Sequence, residues 1–312
     1  MTKPPFPRAV MTWACMALLS LPIGQEARGA DTLALKLSAQ GMYMGYSGSP
    51  TRANLTSSGV LLDMQYLDRG GILAGGDYTT LRAKGAGQSI TQNSAFVAGY
   101  VHMTPDSLPG RLTLRMDLLG VSNNDRTNET DQVRLWAPRL SYLSRGKSFY
   151  LDAGYADSRY GDSINPARGT LHVKQWAPAV GFGFNQNADW LQFRLYDIRN
   201  TNALRSANKT RTTAVEASWT HYFKAGGWMP ELVQFGVLGG ERMYAFDPDT
   251  QVVYNLTDLQ KEGVTLGARW KLGGNTRLHL STGHNRYESP AAGTPATHYT
   301  GTYGYAGLSF QW

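Results

Sequence analysis

Past residue 30 the chain alternates apolar and polar positions with a period of two. Leu112, Leu114, Met116 and Leu118 interleave with Thr113, Arg115, Asp117 and Leu119. Leu191, Phe193 and Leu195 interleave with Gln192, Arg194 and Tyr196, and Val264, Leu266, Ala268 and Trp270 with Thr265, Gly267, Arg269 and Lys271. Period two is the mark of a strand with one dry face. No stretch after residue 30 reaches 18 consecutive apolar residues, so no membrane-spanning helix is expected. Counting segments of this kind predicts fourteen strands, near 32–45, 57–68, 71–83, 91–104, 110–122, 132–144, 147–159, 170–186, 189–200, 210–223, 231–245, 260–272, 275–287 and 298–312.

The connections sharpen the picture. Short turns near 69, 106, 145, 187, 227 and 273 alternate with longer polar stretches at 46–56, 84–90, 123–131, 160–169, 201–209, 246–259 and 288–297. Short turns on one side and long loops on the other predict an all-β fold: a closed antiparallel transmembrane β-barrel of about 14 strands, with short periplasmic turns and long external loops. Closure follows because an unpaired strand edge in lipid would leave backbone donors and acceptors without partners. Both ends of the barrel then fall on the periplasmic side.

The last strand carries a more specific pattern. Tyr305, Gly307, Phe310 and Trp312 resemble the C-terminal insertion signal of Gram-negative outer-membrane barrels, with Trp312 where that group more often has Phe. The resemblance is to porin-like barrels, with YaiO-like barrels a neighbouring group, and it covers the mature chain in architecture. It implies residence in the cell outer membrane, contact with outer-membrane lipid and lipopolysaccharide, and insertion by the barrel assembly machinery. It names no solute.

Composition alone would suggest a soluble protein, with 42% hydrophobic residues and a mean hydropathy of −0.35. The N-terminal segment changes that. Lys3 and Arg8 precede the uncharged run from Met11 to Ile23, and the small-residue stretch "ARGA" follows it. This is the layout of a signal peptide, with cleavage expected after Gly29. The domains are therefore a signal peptide over 1–29 and an outer-membrane β-barrel domain over 30–312. The single cysteine, Cys15, lies inside the signal, so the mature chain has no disulfide. The formal charge of +7 falls to about +5 on cleavage. Such a modest and scattered surplus points to no nucleic-acid partner.

"WAP" occurs at Trp136–Pro138 and again at Trp176–Pro178, each early in a strand running from a long loop to a short turn. Proline removes a ladder hydrogen bond, so a bulge is expected near the outer rim. From Trp176 the same-face residues Pro178, Val180, Phe182 and Phe184 define an apolar band of roughly 20 Å.

The faces opposite the apolar ones define the lumen. The candidate pore-lining residues are Lys36, Arg111, Arg115, Asp117, Arg139, Arg194, Glu216, Arg242, Arg269, Lys271, Arg277, Tyr299 and Tyr303. With Asp63, Asp77 and Asp152 they make nine basic and five acidic positions. Fourteen strands stand between a filled barrel and an open channel. Surplus arginine lowers the barrier to anions, and tyrosines offer faces to sugar rings. The expected function is a channel for small polar solutes, anionic or saccharide, without a cofactor.

The segment "FDPDTQVVYNLTDL", Phe246 to Leu259, is too apolar for a free external loop and is expected to fold into or across the mouth. Asp247 and Asp249 have calcium-compatible chemistry, but a Pro-Asp turn accounts for them more simply. Two other classes fit the barrel. An outer-membrane lipid hydrolase would draw on Ser281 with His279, or His284 with Asn285, though no nucleophile elbow or metal-ligand spacing accompanies them. An exopolysaccharide-export or structural barrel would need separate periplasmic partners.

Overall fold

A computed structural model describes residues 33–224, 228–254, 257–289 and 296–312. The expected signal peptide and Cys15 lie outside them. Fourteen strands form the wall: β1 (Leu33–Ser47), β2 (Arg52–Tyr66), β3 (Gly70–Ala83), β4 (Ile90–Met103), β5 (Gly110–Asn123), β6 (Val133–Ser144), β7 (Phe149–Tyr160), β8 (Leu171–Trp176 continued by Ala179–Phe184), β9 (Asp189–Asn200), β10 (Arg211–Tyr222), β11 (Leu232–Arg242), β12 (Leu259–Lys271), β13 (Thr276–Ser289) and β14 (Thr297–Gln311). Each pairs antiparallel with its chain neighbours. β14 returns to β1 in a ladder from Lys36↔Gln311 to Ser47↔Thr300. The sheet is thus a closed barrel, as the alternation required.

Three details depart from the sequence expectation. First, the two WAP sites are interruptions without a bulge. β7 pairs with β8 as Tyr155↔Trp176 on one side of Pro178 and Leu151↔Val180 on the other, in one unbroken register. In β6 the ladder likewise lapses between Trp136↔Asp157 and Arg139↔Gly154 without a shift. Proline only removes a donor, and its neighbours keep the ladder aligned. The Ala177 N–H donates to Gly154 at 2.8 Å, and the Pro178 carbonyl accepts from Leu195 at 3.0 Å.

Second, the first external connection is only residues 48–51, because β2 begins at Arg52 rather than near 57. The periplasmic connection between β10 and β11, residues 223–231, is longer. The strict long–short rhythm therefore fails. β1 and β2 continue beyond the apolar belt, where the outward residues Asn54, Thr56 and Ser58 are polar, so pairing continues while the hydrophobic alternation stops. Third, β11 ends at Arg242, and the chain turns inward from Met243.

Outward positions carry the apolar side chains. Leu114 is 48% exposed, and Leu140, Leu151, Leu195, Val215 and Leu266 are similarly open. A continuous surface of this kind has no place in water; on a closed barrel it is the hydrocarbon-facing belt. Aromatic rings border it. Trp136, Tyr155 and Trp176 form a row across β6 to β8, with centroid separations of 5.6 and 5.1 Å. Phe149 and Phe182, 5.6 Å apart, mark the periplasmic side. Rings at the two edges of an apolar band are what a bilayer interface selects.

Inside, some rings lie flat on the wall over glycines. A Cβ on Gly75 would meet the Phe96 ring at 2.8 Å, and one on Gly283 would overlap the Tyr303 ring. These are directly opposed pairs, Gly75↔Phe96 and Gly283↔Tyr303. A missing side chain lets its cross-strand neighbour lie down instead of projecting into the lumen.

Two tests follow from the belt. The folded chain should run faster than the boiled chain on a gel in mild detergent. Leu114→Arg should lower stability in a bilayer by about 2–4 kcal/mol, read from urea unfolding out of lipid vesicles, while the inward Gln234→Lys should change it by less than about 1 kcal/mol.

Candidate pore and its inserted hairpin

The lumen has two halves of different character. Toward the loops, the inward positions of β5 to β9 are apolar and buried: Leu119, Val121, Val133, Leu135, Val173 and Ile198. They pack against Met243, Tyr244, Ala245, Phe246 and Val253 of the segment between β11 and β12. The interior is therefore not a uniformly wetted wall. Its external part is a hydrophobic core.

That core is made by the segment expected to enter the mouth, and it does enter. A short hairpin pairs Phe246–Asp247 with Val252–Val253. The Gln175 amide on β8 holds it like a missing strand, donating to the Phe246 carbonyl at 2.7 Å and accepting from its N–H at 3.0 Å. Above it, the Tyr244 hydroxyl donates to the Arg205 carbonyl at 2.7 Å. Arg205 is itself 1% exposed. It donates to the carbonyls of Gly161 (2.8 Å), Gly169 (3.0 Å) and Glu129, tying three external loops over the hairpin.

The hairpin tip reaches the charged wall. Asp249 meets Arg139 at 3.0 Å and Arg194 at 3.1 Å, and the Pro248 carbonyl accepts from Arg139 at 3.2 Å. Both arginines also bind Asp152, at 2.6 and 3.3 Å. Two cations on β6 and β9 thus share a fixed carboxylate on β7 and a second one brought by the loop. Burial pushes the Asp249 carboxyl up, but Arg194 and Arg139 more than offset this and hold it below the ordinary aspartate range.

The far end of the segment is fastened separately. Asp258 accepts an ion pair from Arg52 and a hydrogen bond from the Tyr299 hydroxyl at 2.5 Å. Tyr299 stacks on Tyr287 at 5.1 Å, and Tyr46 and Met44 complete that cluster. Between the two latches, Arg242 donates to Gln260 at 2.8 Å and lies 4.1 Å over the Tyr254 ring. It also approaches Glu216 at 4.0 Å, and Glu216 accepts from the Tyr196 hydroxyl at 2.9 Å.

The periplasmic half carries the remaining charges. Arg115 pairs with Asp117 at 2.6 Å. Arg269 and Arg277 share Glu231, from the turn before β11, the latter at 3.5 Å. Among the described residues Lys36, Arg111 and Lys271 form no ion pair. Tyr303 exchanges a hydrogen bond with Thr265 at 2.8 Å.

The candidates chosen by alternation thus all lie on inward-facing positions, but the structure divides them. Arg139, Arg194, Arg242, Glu216 and Tyr299 belong to the hairpin's anchorage, with Tyr303 just beneath it. Lys36, Arg111, Arg115, Asp117, Arg269, Lys271 and Arg277 stand below. Alternation does not reach Arg52, the first residue of β2, or Asp258, just before β12, where it gives no direction. The Asp247 side chain accepts from the Asp249 N–H at 2.9 Å, the turn chemistry expected of a Pro-Asp tip. At the other end of the chain, Tyr305 points inward and donates to Gln40 at 3.0 Å; Phe310 and Trp312 face outward and are exposed.

The hydrolase candidates are not assembled. Ser281 and His279 share the inward face, but no hydrogen bond joins them, and His279 packs edge-on against Tyr305 at 5.4 Å. His284 bonds Thr302 at 2.9 Å on the outer face, while Asn285 points inward to Gln260 at 2.9 Å, so those two diverge. No group of three metal-ligating residues occurs among the described residues.

No protein-family model matches the chain, and no curated protein matches it in sequence. Solved structures are similar to it in shape. The toluene transporter TodX of Pseudomonas putida matches with a TM-score of 0.49 at 10% identity, over 91% of this chain and 90% of that one. The outer membrane protein Omp33 of Acinetobacter baumannii matches with a TM-score of 0.44 at 6% identity, over 89% and 99%. OccD3 (OpdP) of Pseudomonas aeruginosa matches with a TM-score of 0.40 at 9% identity, over 90% and 92%. At such identities the likeness is one of barrel architecture and extends no further.

Proposed function

We propose that this chain is an outer-membrane channel for small polar solutes, with a preference for anions, whose external mouth is stopped by its own hairpin. The observation that carries the reading is charge complementarity inside the lumen. The fourteen charged wall candidates comprise nine basic and five acidic groups, whereas the segment from Met243 to Asp258 holds three acidic groups and no basic one. The wall's surplus is thus met by the segment. Asp249 occupies, between Arg139 and Arg194, the place an anionic solute would take. Below it, Lys36, Arg111 and Lys271, which form no ion pair among the described residues, draw anions from the periplasmic side. Tyr305, Gly307, Phe310 and Trp312 serve insertion in this reading, through the assembly machinery, and not transport.

Conductance in a planar bilayer tests it. Deleting residues 248–257 should raise unit conductance severalfold, with a reversal potential in a salt gradient displaced toward anions. Unchanged conductance, or cation selectivity, would refute the channel as described.

The latch should also respond to acid in one direction. Its carboxyl is held below the ordinary aspartate value of about 3.9. The ion pairs are therefore fully present above that value and are lost only as pH falls through the lower folded one. Conductance should stay flat from about pH 8 to pH 5 and rise only below about pH 4. Asp249→Asn should be open across the whole range and show no acid step.

A further inference from the structure

A second charge pattern lies on the outside of the barrel, where the channel has no use for it. On β6 to β10, beyond the Trp136–Tyr155–Trp176 row, stand Arg134, Arg159, Lys174, Arg199 and Arg211, with Arg159 two outward positions past Tyr155 and Arg134 and Lys174 one past their tryptophans. All are exposed, Arg199 and Arg211 by 65% and 60% of their side chains. They face one another directly across the ladders, as Arg134↔Arg159, Arg199↔Lys174 and Arg199↔Arg211, and Arg159 also pairs with His172. Like charges directly opposed on a sheet repel.

The carboxylates within the stripe are two. Asp197 accepts from Arg211 at 2.6 Å and lies 3.6 Å from Arg199. Asp157 sits between Trp136 and Lys174 in the register and forms no ion pair. Arg134, Arg159 and Lys174 have no ion-pair partner among the described residues. The adjacent arc of the rim is different. From β10 to β13, Lys209 and Lys261 share Glu241 at 3.0 and 2.6 Å, Lys261 reaches Glu288 at 3.4 Å, and Arg286 reaches Glu262 at 3.8 Å. One arc of the rim is neutralised by the protein, and the adjacent arc is left cationic.

Height identifies what completes it. Interfacial aromatics sit at the level of lipid headgroups, so cations one or two steps farther out, spread over five strands spaced ~4.8 Å apart, lie level with headgroup phosphates. We infer that Arg134, Arg159 and Lys174, flanked by Arg199 and Arg211, form a binding site for the phosphates of a phosphorylated glycolipid in the external leaflet. The inference rests on the barrel spanning the membrane with its long loops outside, and is independent of whether the lumen conducts.

Native mass spectrometry of the folded mature chain in non-ionic detergent tests it, with diphosphorylated lipid A and its phosphate-free counterpart as probes. The wild type should bind the phosphorylated form at least tenfold more tightly. R134Q/R159Q/K174Q should lose at least tenfold of that affinity, while K209Q/K261Q, on the neutralised arc, should change by less than twofold. If the triple variant does not fold, Arg159→Gln alone should lose at least threefold. With no lipid present Arg159→Gln should melt no lower than the wild type, because it relieves repulsion. Equal binding of the two probes, or undiminished binding by a folded variant, would overturn the site. So would displacement of the lipid by inorganic phosphate at the lipid's own concentration, which would make it a site for soluble anions. Conductance in phosphatidylcholine bilayers, which lack this lipid, reports on the channel separately.

Discussion

In hydrocarbon a backbone N–H or C=O without a partner has nothing to bond, and everything else in this molecule is arranged around that constraint. The fourteen strands satisfy it by returning β14 to β1, where Leu35 and Trp312 exchange backbone hydrogen bonds at 2.9 Å in both directions. Even the prolines of the two WAP sites respect it: a donor is absent, but the register holds and the neighbouring groups stay paired. Once the wall is closed, each residue has only two directions to point. Lipid selects one set of side chains and the lumen receives the other.

The lumen set could not remain a simple wetted wall. Its external half is apolar at Leu119, Val133, Val173 and Ile198, which would be poor company for water, and its middle carries more cations than anions. A single segment resolves both conditions. Met243 to Phe246 supply the apolar surface, and Asp249 and Asp258 supply carboxylates at the two places where arginines converge. Removing Asp258 would leave the buried Arg52 without its ion-pair partner. The hairpin is therefore held by what its departure would cost the wall as well as by its own contacts.

The outer rim shows the same logic with a different partner. Where Glu241, Glu262 and Glu288 are available, lysine and arginine are paired within the protein. Where they are not, Arg134, Arg159 and Lys174 stand above an aromatic row without an ion-pair partner among the described residues, flanked by Arg199 and Arg211 on Asp197. Inside the barrel the missing anion is part of the chain; outside, the membrane supplies it.

Strand number, closure and the direction of nearly every wall residue were legible in the sequence, because lipid on one side imposes a strict alternation that survives without any knowledge of neighbours. The insertion of the segment from Phe246 to Leu259 was also legible, since Val252, Val253 and Tyr254 are too apolar for an exposed loop. What alternation could not reach were matters of register and distance. It could not show that β2 starts at Arg52, because beyond the belt the outward positions Asn54, Thr56 and Ser58 turn polar and the pattern stops while pairing continues. Nor could it show that Pro178 interrupts β8 without shifting it. The meeting of Asp249 with arginines more than fifty and a hundred residues away, of Asp258 with Arg52, and the row of cations along β6 to β10 depend on which strands lie side by side. The sequence by itself determined which face of each strand is dry; only the tertiary structure decided which charges meet, because electrostatic and hydrogen-bonding partners are chosen by separations of a few ångströms that no one-dimensional period encodes.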